Sequence, residues 1–559
     1  MQTGNNQSAT LFGFDVRESL FAFALFFVLG LIAYVLRDTI TVIQAGTLVL
    51  LAGLWWLGMR HMHVAVVALL VWLVFESVLL RFIPDQSFLY IRFFPEVMTY
   101  SIFVRVIFDR FFLPLIQQDA QHLSSALLGV GAFERFDRLR GRLLLSLAAL
   151  FFIAVFSMIA NGVDPLIGLL GIRQVVRFLF LAIILLYIDI PTPFFAKAVR
   201  VLCILFGVQI AIGLIQYATA GALDPYLIPA KTVEYGGRFS YGGVDQFWQL
   251  GTRVFATLGR YDRFGAFAGI FTTIVAAVGL SGMFSLRYDF PLAKERYRFY
   301  LALTILGGIA VFLSSSRAAL LALIIALIWL VGVVWRRRAV LLLSVIGFFS
   351  VVIGAFVYAQ IIGIDIRYVV DSPDATVFER LVEPLSQSSL QGNYDHYGRT
   401  FWLVEVPRVV VASSPIYGVG PGMFGSGTVA QFVNKEVYNR LGLPYGASGD
   451  IGIIDNSWFA LWGELGTLGL LAMIAFLWTL YQLFGLVPRN THGTGEQGRF
   501  LYNEYVLLSS GAQAAVVYVA VVALFANHFE FRTTMPALLV FGTLLLRAKI
   551  QHASGRSVS

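Results

Sequence analysis

The stretch IIDNSWFALWGELGTLGLL (Ile453–Leu471) places Asp455, Asn456 and Ser457 at the start of a long apolar run and buries a second carboxylate, Glu464, within it. Ionisable groups are costly in lipid and mark function there. Asp455 has the chemistry to orient or deprotonate a hydroxyl, with Asn456 beside it. Glu464, about two turns further in, reads as an interior hydrogen-bonding anchor. A second run, LSSSRAALLALIIALIW (Leu313–Trp329), sets Arg317 directly after three serines. Serines cap helix starts, and together with free backbone donors they offer a seat for an anion. Arginine's planar fork suits phosphate better than an ammonium does. The alternative for Arg317 is a side chain snorkelling to the interface.

Arg173 and Arg177, in LIGLLGIRQVVRFLFLAIILL, stand four residues apart on one helix face. No carboxylate lies nearby in sequence, so the pair requires an anionic partner. That partner is either a side chain from another helix or an anionic, lipid-borne substrate. NYDHYGRTFW (393–402) gathers Asp395, His396 and Arg399, which read as a surface salt bridge or as part of a site. DSPD (371–374) reads as a solvated turn. No His, Cys or carboxylate spacing points to a metal site, and no motif implies a cofactor.

These residues need elements to hold them, and composition defines what those are. Of 559 residues, 58% are hydrophobic and 13% charged, with mean hydropathy +0.79. Soluble domains are not built this way. Crossing a bilayer takes about 20 predominantly apolar residues. On that basis the chain is an all-α, polytopic transmembrane bundle of about 12–14 spans. The candidates lie near 19–36, 40–58, 62–82, 97–116, 143–160, 169–189, 199–219, 264–286, 298–313, 318–335, 339–361, 457–485, 505–526 and 533–547. The N-terminus lacks a cleavable signal, so the first span is expected to stay. Cys203, the single cysteine, falls inside a span and reads as a small buried apolar residue.

The net charge of +8 is distributed as in a membrane protein, which argues against nucleic acid as a partner. Arg135, Arg138, Arg140 and Arg142 share one loop; Lys197 and Arg200, then Arg287 to Arg298, Arg336 to Arg338, Arg489 and Arg499, and the tail occupy alternate loops. The positive-inside rule puts these groups in the cytoplasm, with both termini cytoplasmic. Residues 220–263 and a long segment, 363–455, then fall on the periplasmic side. A connection of that length points to function. Within it GRTFWLVEVPRVVV (398–411) reads as a short amphipathic helix and GVGPGMFG (418–425) as a glycine-rich turn.

Four segments, RVFATLGRYDRFGAFAG, LSSSRAALLAL, GRTFWLVEVPRVVVASSPIYGVGPGMFG and DNSWFALWGELGTLGLL, resemble the bacterial O-antigen ligase and O-antigen polymerase superfamily in order, spacing and expected outer placement. The resemblance covers roughly residues 250–550, which divides the chain into N-terminal transmembrane helices (1–250) and a ligase/polymerase-like membrane domain (251–559).

The resemblance implies an inner-membrane glycosyltransferase that uses undecaprenyl-diphosphate-linked glycans on the periplasmic face, without a metal. It implies roles for Arg317 and Arg399 at the donor diphosphate. The ligases' histidine, paired with an asparagine, falls on Asp455, with Asn456 intact. An aspartate there can still accept a proton, although a free carboxylate is a weak base; His396 and His528 (in ANHFEFR) are the alternative imidazoles. The missing histidine favours a polymerase of surface polysaccharide over a ligase acting on lipid A-core. A flippase and a chain-length regulator would be its partners, with membrane lipids around it. Arg173 and Arg177 are further candidates for holding the donor. A transporter is the competing class, but transporters carry paired broken helices in related halves, and no halves repeat here.

Overall fold

The computed structural model describes residues 10–11, 14–15, 42–112, 130–227, 253–283, 292–362, 391–392, 394–446, 449, 452–487 and 496–553. The span expected at 19–36 and residues 363–390, with the DSPD turn, lie outside them. Apart from a two-residue strand pair, Thr10–Leu11 with Phe14–Asp15, the regular structure is helical. The helices that matter below are α1 (Val42–Arg60), α2 (Met62–Leu79), α3 (Asp85–Ile107), α4 (Val130–Ala160), α5 (Pro165–Val176), α6 (Phe180–Tyr187), α7 (Thr192–Ala218), α8 (Tyr261–Gly279), α9 (Lys294–Leu313), α10 (Arg317–Trp329), α11 (Arg338–Ile362), α12 (Arg399–Glu405), α13 (Ser457–Phe484), α14 (Glu496–Val522) and α15 (Thr534–Ala553).

Among the described residues eight helices are long and apolar enough to cross a membrane, or nine if α5 and α6 count as one bent span. The protein is therefore a multi-pass membrane protein. The runs expected at 40–58, 97–116, 339–361 and 533–547 are also helical, as α1, α3, α11 and α15. Two of these bury charge, Glu96 in α3 and Lys549 in α15, and so are not simple apolar spans. The run expected at 169–189 is broken: α5 and α6 meet at 54°, and Arg177 caps α5 at the break.

The bundle packs around α8. Its glycines and alanines let neighbours approach closely, so the helix is buried along nearly its whole length. A Cβ at Gly269 would collide with Tyr518 of α14, and one at Gly265 would press on Ser314, Ser316 and Ala319 at the start of α10. Phe206 of α7 and Phe541 of α15 meet Phe271 of α8, with ring centroids 5.3 and 5.0 Å apart. Helices from before and after residue 250 share this one core.

The segment after residue 391 has a core of its own. Trp402, Val406, Val410, Phe424, Tyr438, Tyr445 and Ile454 pack together, and Phe424 stacks on Tyr438 at 5.3 Å. The expected amphipathic helix at 398–411 is α12 continued by a wider π-turn over Val406–Val411, which Pro407 accompanies.

Candidate functional site

Asp455 owes its position to how α13 begins. The Asn456 side chain caps the helix, its Oδ1 accepting from the Phe459 N–H at 3.0 Å. The Ser457 N–H donates to the Ala523 carbonyl at 2.9 Å, the Ser457 hydroxyl donates to the Ala526 carbonyl at 2.7 Å, and the Trp458 indole donates to Ala520 at 2.8 Å. These bonds lash the start of α13 to the end of α14. On the other side the Ile454 N–H donates to the Gly425 carbonyl at 3.1 Å, tying Asp455 to the loop core. Asn456, a sequence candidate for substrate contact, is thus buried and used as a cap.

Arg399 opens α12 and reaches back to Asp455, with guanidinium and carboxylate 3.5 Å apart and side chains 50% and 48% exposed. Exposed pairs of this kind contribute roughly 0–1 kcal/mol. The contact is loose enough to be exchanged for another anion. His396 is exposed on the turn just before α12.

Behind this pair, the 253–263 segment supplies a charged helix mouth. The Phe255 and Ala256 N–H groups both donate to Gln216 Oε1, at 3.0 and 2.9 Å, and the Thr257 hydroxyl donates to the Val74 carbonyl at 2.9 Å. The chain is thereby pinned into the bundle before α8 starts. Arg260 grips Asp262 with both arms of its fork, at 3.1 and 3.0 Å. Arg253 lies over the Tyr261 ring at 4.1 Å, and Arg263 over Phe531 at 5.2 Å. The Nε atoms of Arg253 and Arg263 are buried without a hydrogen-bond partner. Asp455 acts electrostatically on Arg260, so the two charged groups face one another. Arg317, half-buried, begins α10 one residue beyond Ser316, which packs on Gly265.

His528 sits beneath the cluster. It is buried, packs edge-on to Phe531 at 4.8 Å, and lies within electrostatic reach of Asp262, Arg260, Arg399 and Arg263. Burial pushes its imidazole down to about 4, so the ring is neutral at pH 7. It is buried beside Phe531 and Thr534, whereas Asp455 is half-exposed.

No protein-family model and no curated protein matches the chain. What the arrangement can do must therefore be read from its own geometry. It joins Asp455, Arg399, Arg260, Arg263 and Asp262 at one end of the bundle, a set able to hold an anion beside a carboxylate. Among the described residues, no group of three or more His, Cys, Asp or Glu side chains is placed to hold a metal ion.

Arg173 and Arg177 belong to a separate cluster. Arg173 forms a two-armed contact with Glu96 of α3, at 2.5 and 2.8 Å; Arg177 lies 3.5 Å from the same carboxylate and donates to the Glu530 carbonyl. Arg532 pairs with Glu76 at 3.1 Å. The anionic partner that the sequence demanded is thus Glu96, a side chain from another helix.

Glu464 is an anchor. Its Oε1 accepts from the Gly422 N–H at 3.0 Å and from the Phe424 N–H at 3.4 Å, seating the glycine-rich turn on α13. The turn can come this close because α13 breaks at Gly466 (φ 64, ψ −168), where a side chain would strike the Ile416 carbonyl. Glu464→Leu should leave two buried N–H groups unpaired, a cost of about 2–6 kcal/mol at roughly 1–3 each. Glu464→Gln keeps the acceptor. Thermal unfolding in detergent should show a clear drop for the leucine variant and little for glutamine; equal midpoints would remove the anchor role.

Arg253, Arg260, Asp262 and Arg263 are not among the site candidates that the sequence alone puts forward. Their signal was present, since three arginines and an aspartate within eleven residues open an apolar helix.

Proposed function

We propose that the protein is a membrane glycosyltransferase that joins polyprenyl-diphosphate-linked glycan units, a surface-polysaccharide or O-antigen polymerase. The observation that carries this reading is the meeting of Arg399 and Asp455 with the Arg260–Arg263 helix mouth. These residues come from three of the four segments that resemble O-antigen ligases and polymerases.

In this reading the arginines hold the donor's diphosphate. Arg399, released from its loose contact with Asp455, and Arg317 both give their planar forks to the phosphates, and Arg260 and Arg263 add positive potential. Asp455 accepts the proton of the acceptor sugar's hydroxyl. The acceptor oxygen bonds to the anomeric carbon on the face opposite the departing diphosphate, so configuration inverts and the lipid diphosphate leaves with its electron pair. Fixed cations aimed at charge developing on the leaving group are the main source of acceleration, and a positioned base adds to it.

The test is purified protein in lipid, supplied with a synthetic polyprenyl-diphosphate repeat unit. Chain growth with release of polyprenyl diphosphate supports the reading. An untouched donor refutes it, and transfer to lipid A-core alone would make the protein a ligase.

The reading also requires the segment around Arg399 to face the periplasm. Asp395 and Glu436 are exposed there. Cysteine at either position should react with a membrane-impermeant maleimide in cells whose outer barrier alone is permeabilised. Labelling that appears only after inner-membrane lysis would invert the topology and rule out a periplasmic reaction.

A further inference from the structure

At the end of the bundle opposite Asp455, α4 and α13 enclose a cavity of about 220 Å³ lined by Arg135, Arg138, Leu139, Arg142 and Gln482. The four α4 residues follow the i, i+3, i+4, i+7 spacing of a single helix face. The adjoining face is electrically quiet: Arg140 pairs with Asp137 at 2.8 Å and lies over the Tyr187 ring at 4.3 Å. Among the described residues no carboxylate lines the cavity, and Glu134, on α4, is exposed outside that lining. Arg138 has a long bond from Nε to its own helix, to the Glu134 carbonyl at 3.4 Å, which leaves its terminal nitrogens for other partners.

Depth identifies the ligand. From Arg142 to Ala160, the end of α4, the helix rises roughly 27 Å at about 1.5 Å per residue. That nearly matches a hydrocarbon core of about 30 Å. The cavity therefore lies at headgroup level, where lipid phosphates are found. The same face continues into the membrane as Leu145, Phe152, Phe156 and Ile159, all exposed, a surface made for acyl chains. Like charges held a turn apart repel, and an anion among them relieves the repulsion.

We propose that this cavity binds the phosphate of an anionic membrane lipid, whose chains lie along the Leu145–Ile159 face. The guanidinium groups of Arg135, Arg138 and Arg142 receive the phosphate oxygens, and the Gln482 amide donates a further hydrogen bond. This site is independent of the transferase reading.

The probe is phosphatidylglycerol against phosphatidylcholine, followed by native mass spectrometry of the full-length protein released from mixed nanodiscs. Each arginine near an anionic surface is worth about a fivefold factor. The Arg138→Gln/Arg142→Gln variant should then lose about 25-fold in phosphatidylglycerol affinity. Arg140→Gln, on the neighbouring face, should retain it. Arg135→Gln, exposed on the first turns, should lose about fivefold and keeps the test open if the double variant does not fold. Millimolar inorganic phosphate should not displace the lipid. Unchanged retention in the Arg135 and double variants, an equal loss in Arg140→Gln, no preference over phosphatidylcholine, or displacement by inorganic phosphate would each overturn the proposal.

Discussion

Asp455→Asn should slow chain growth by about 10²–10⁴-fold, the range that a positioned general base contributes. The loss should fall on turnover and leave donor binding intact, because asparagine keeps the shape and the hydrogen-bonding capacity while losing the proton acceptor. Folding should hold, since the side chain is half-exposed and its contact with Arg399 is 3.5 Å long. The cap that fixes the helix start comes from Asn456 and is untouched. Asp455→His sets an imidazole beside Asn456 and should retain part of the activity if the position matters more than the carboxylate. The pH profile adds a separate check. Burial holds the His528 imidazole down at about 4, so any rate change between pH 5 and 8 does not come from that ring. The measurement is chain growth on a synthetic donor, with purified protein in lipid, across pH. A wild-type rate for Asp455→Asn would make the carboxylate structural and turn attention to the exposed His396.

The parts of this architecture that local chemistry dictates were legible in the sequence. The serines before Arg317 look like a helix cap, and Ser316 is one; the long segment ending at Asp455 looks too large for a connection and has its own aromatic core. Partners contributed by distant residues were not legible. Arg173 and Arg177 plainly needed an anion, but Glu96 lies 77 residues from Arg173 and becomes a neighbour only when α3 packs against α6, just beyond the break after α5. Arg399 and Asp455, 56 residues apart, are brought together by bonds from Ser457 to Ala523 and Ala526 and from Ile454 to Gly425. The break at Gly466 was hidden for the same reason. A glycine in a helix is tolerated, and its positive φ is required only because the Ile416 carbonyl occupies the space a side chain would need. Arg260 lies in the segment RVFATLGRYDRFGAFAG, yet it meets Asp455 only across the bundle end, a relation with no trace in local spacing.

Arg399→Lys and Arg317→Lys should each collapse polymer formation while protein level holds. Lysine preserves the charge, so a site needing only positive potential would tolerate the exchange. A diphosphate held by a planar, two-armed donor would not, because an ammonium cannot reproduce the paired hydrogen bonds. The two positions differ in setting, which makes the pair informative. Arg399 is half-exposed and loosely paired, so its replacement costs little structure and reports on substrate contact. Arg317 starts α10 against the start of α8, so its replacement also needs a folding check by thermal unfolding. The expected outcome for Arg399→Lys is a rise in the apparent donor constant together with slower turnover, since a clamp that tightens as charge builds on the leaving group serves both steps. A same-charge control exists in Arg140, at the far end of the bundle and paired with Asp137; Arg140→Lys should leave chain length unchanged. Full-length polymer from both Arg399→Lys and Arg317→Lys would show that arginine geometry is dispensable, and the diphosphate clamp would have to be abandoned.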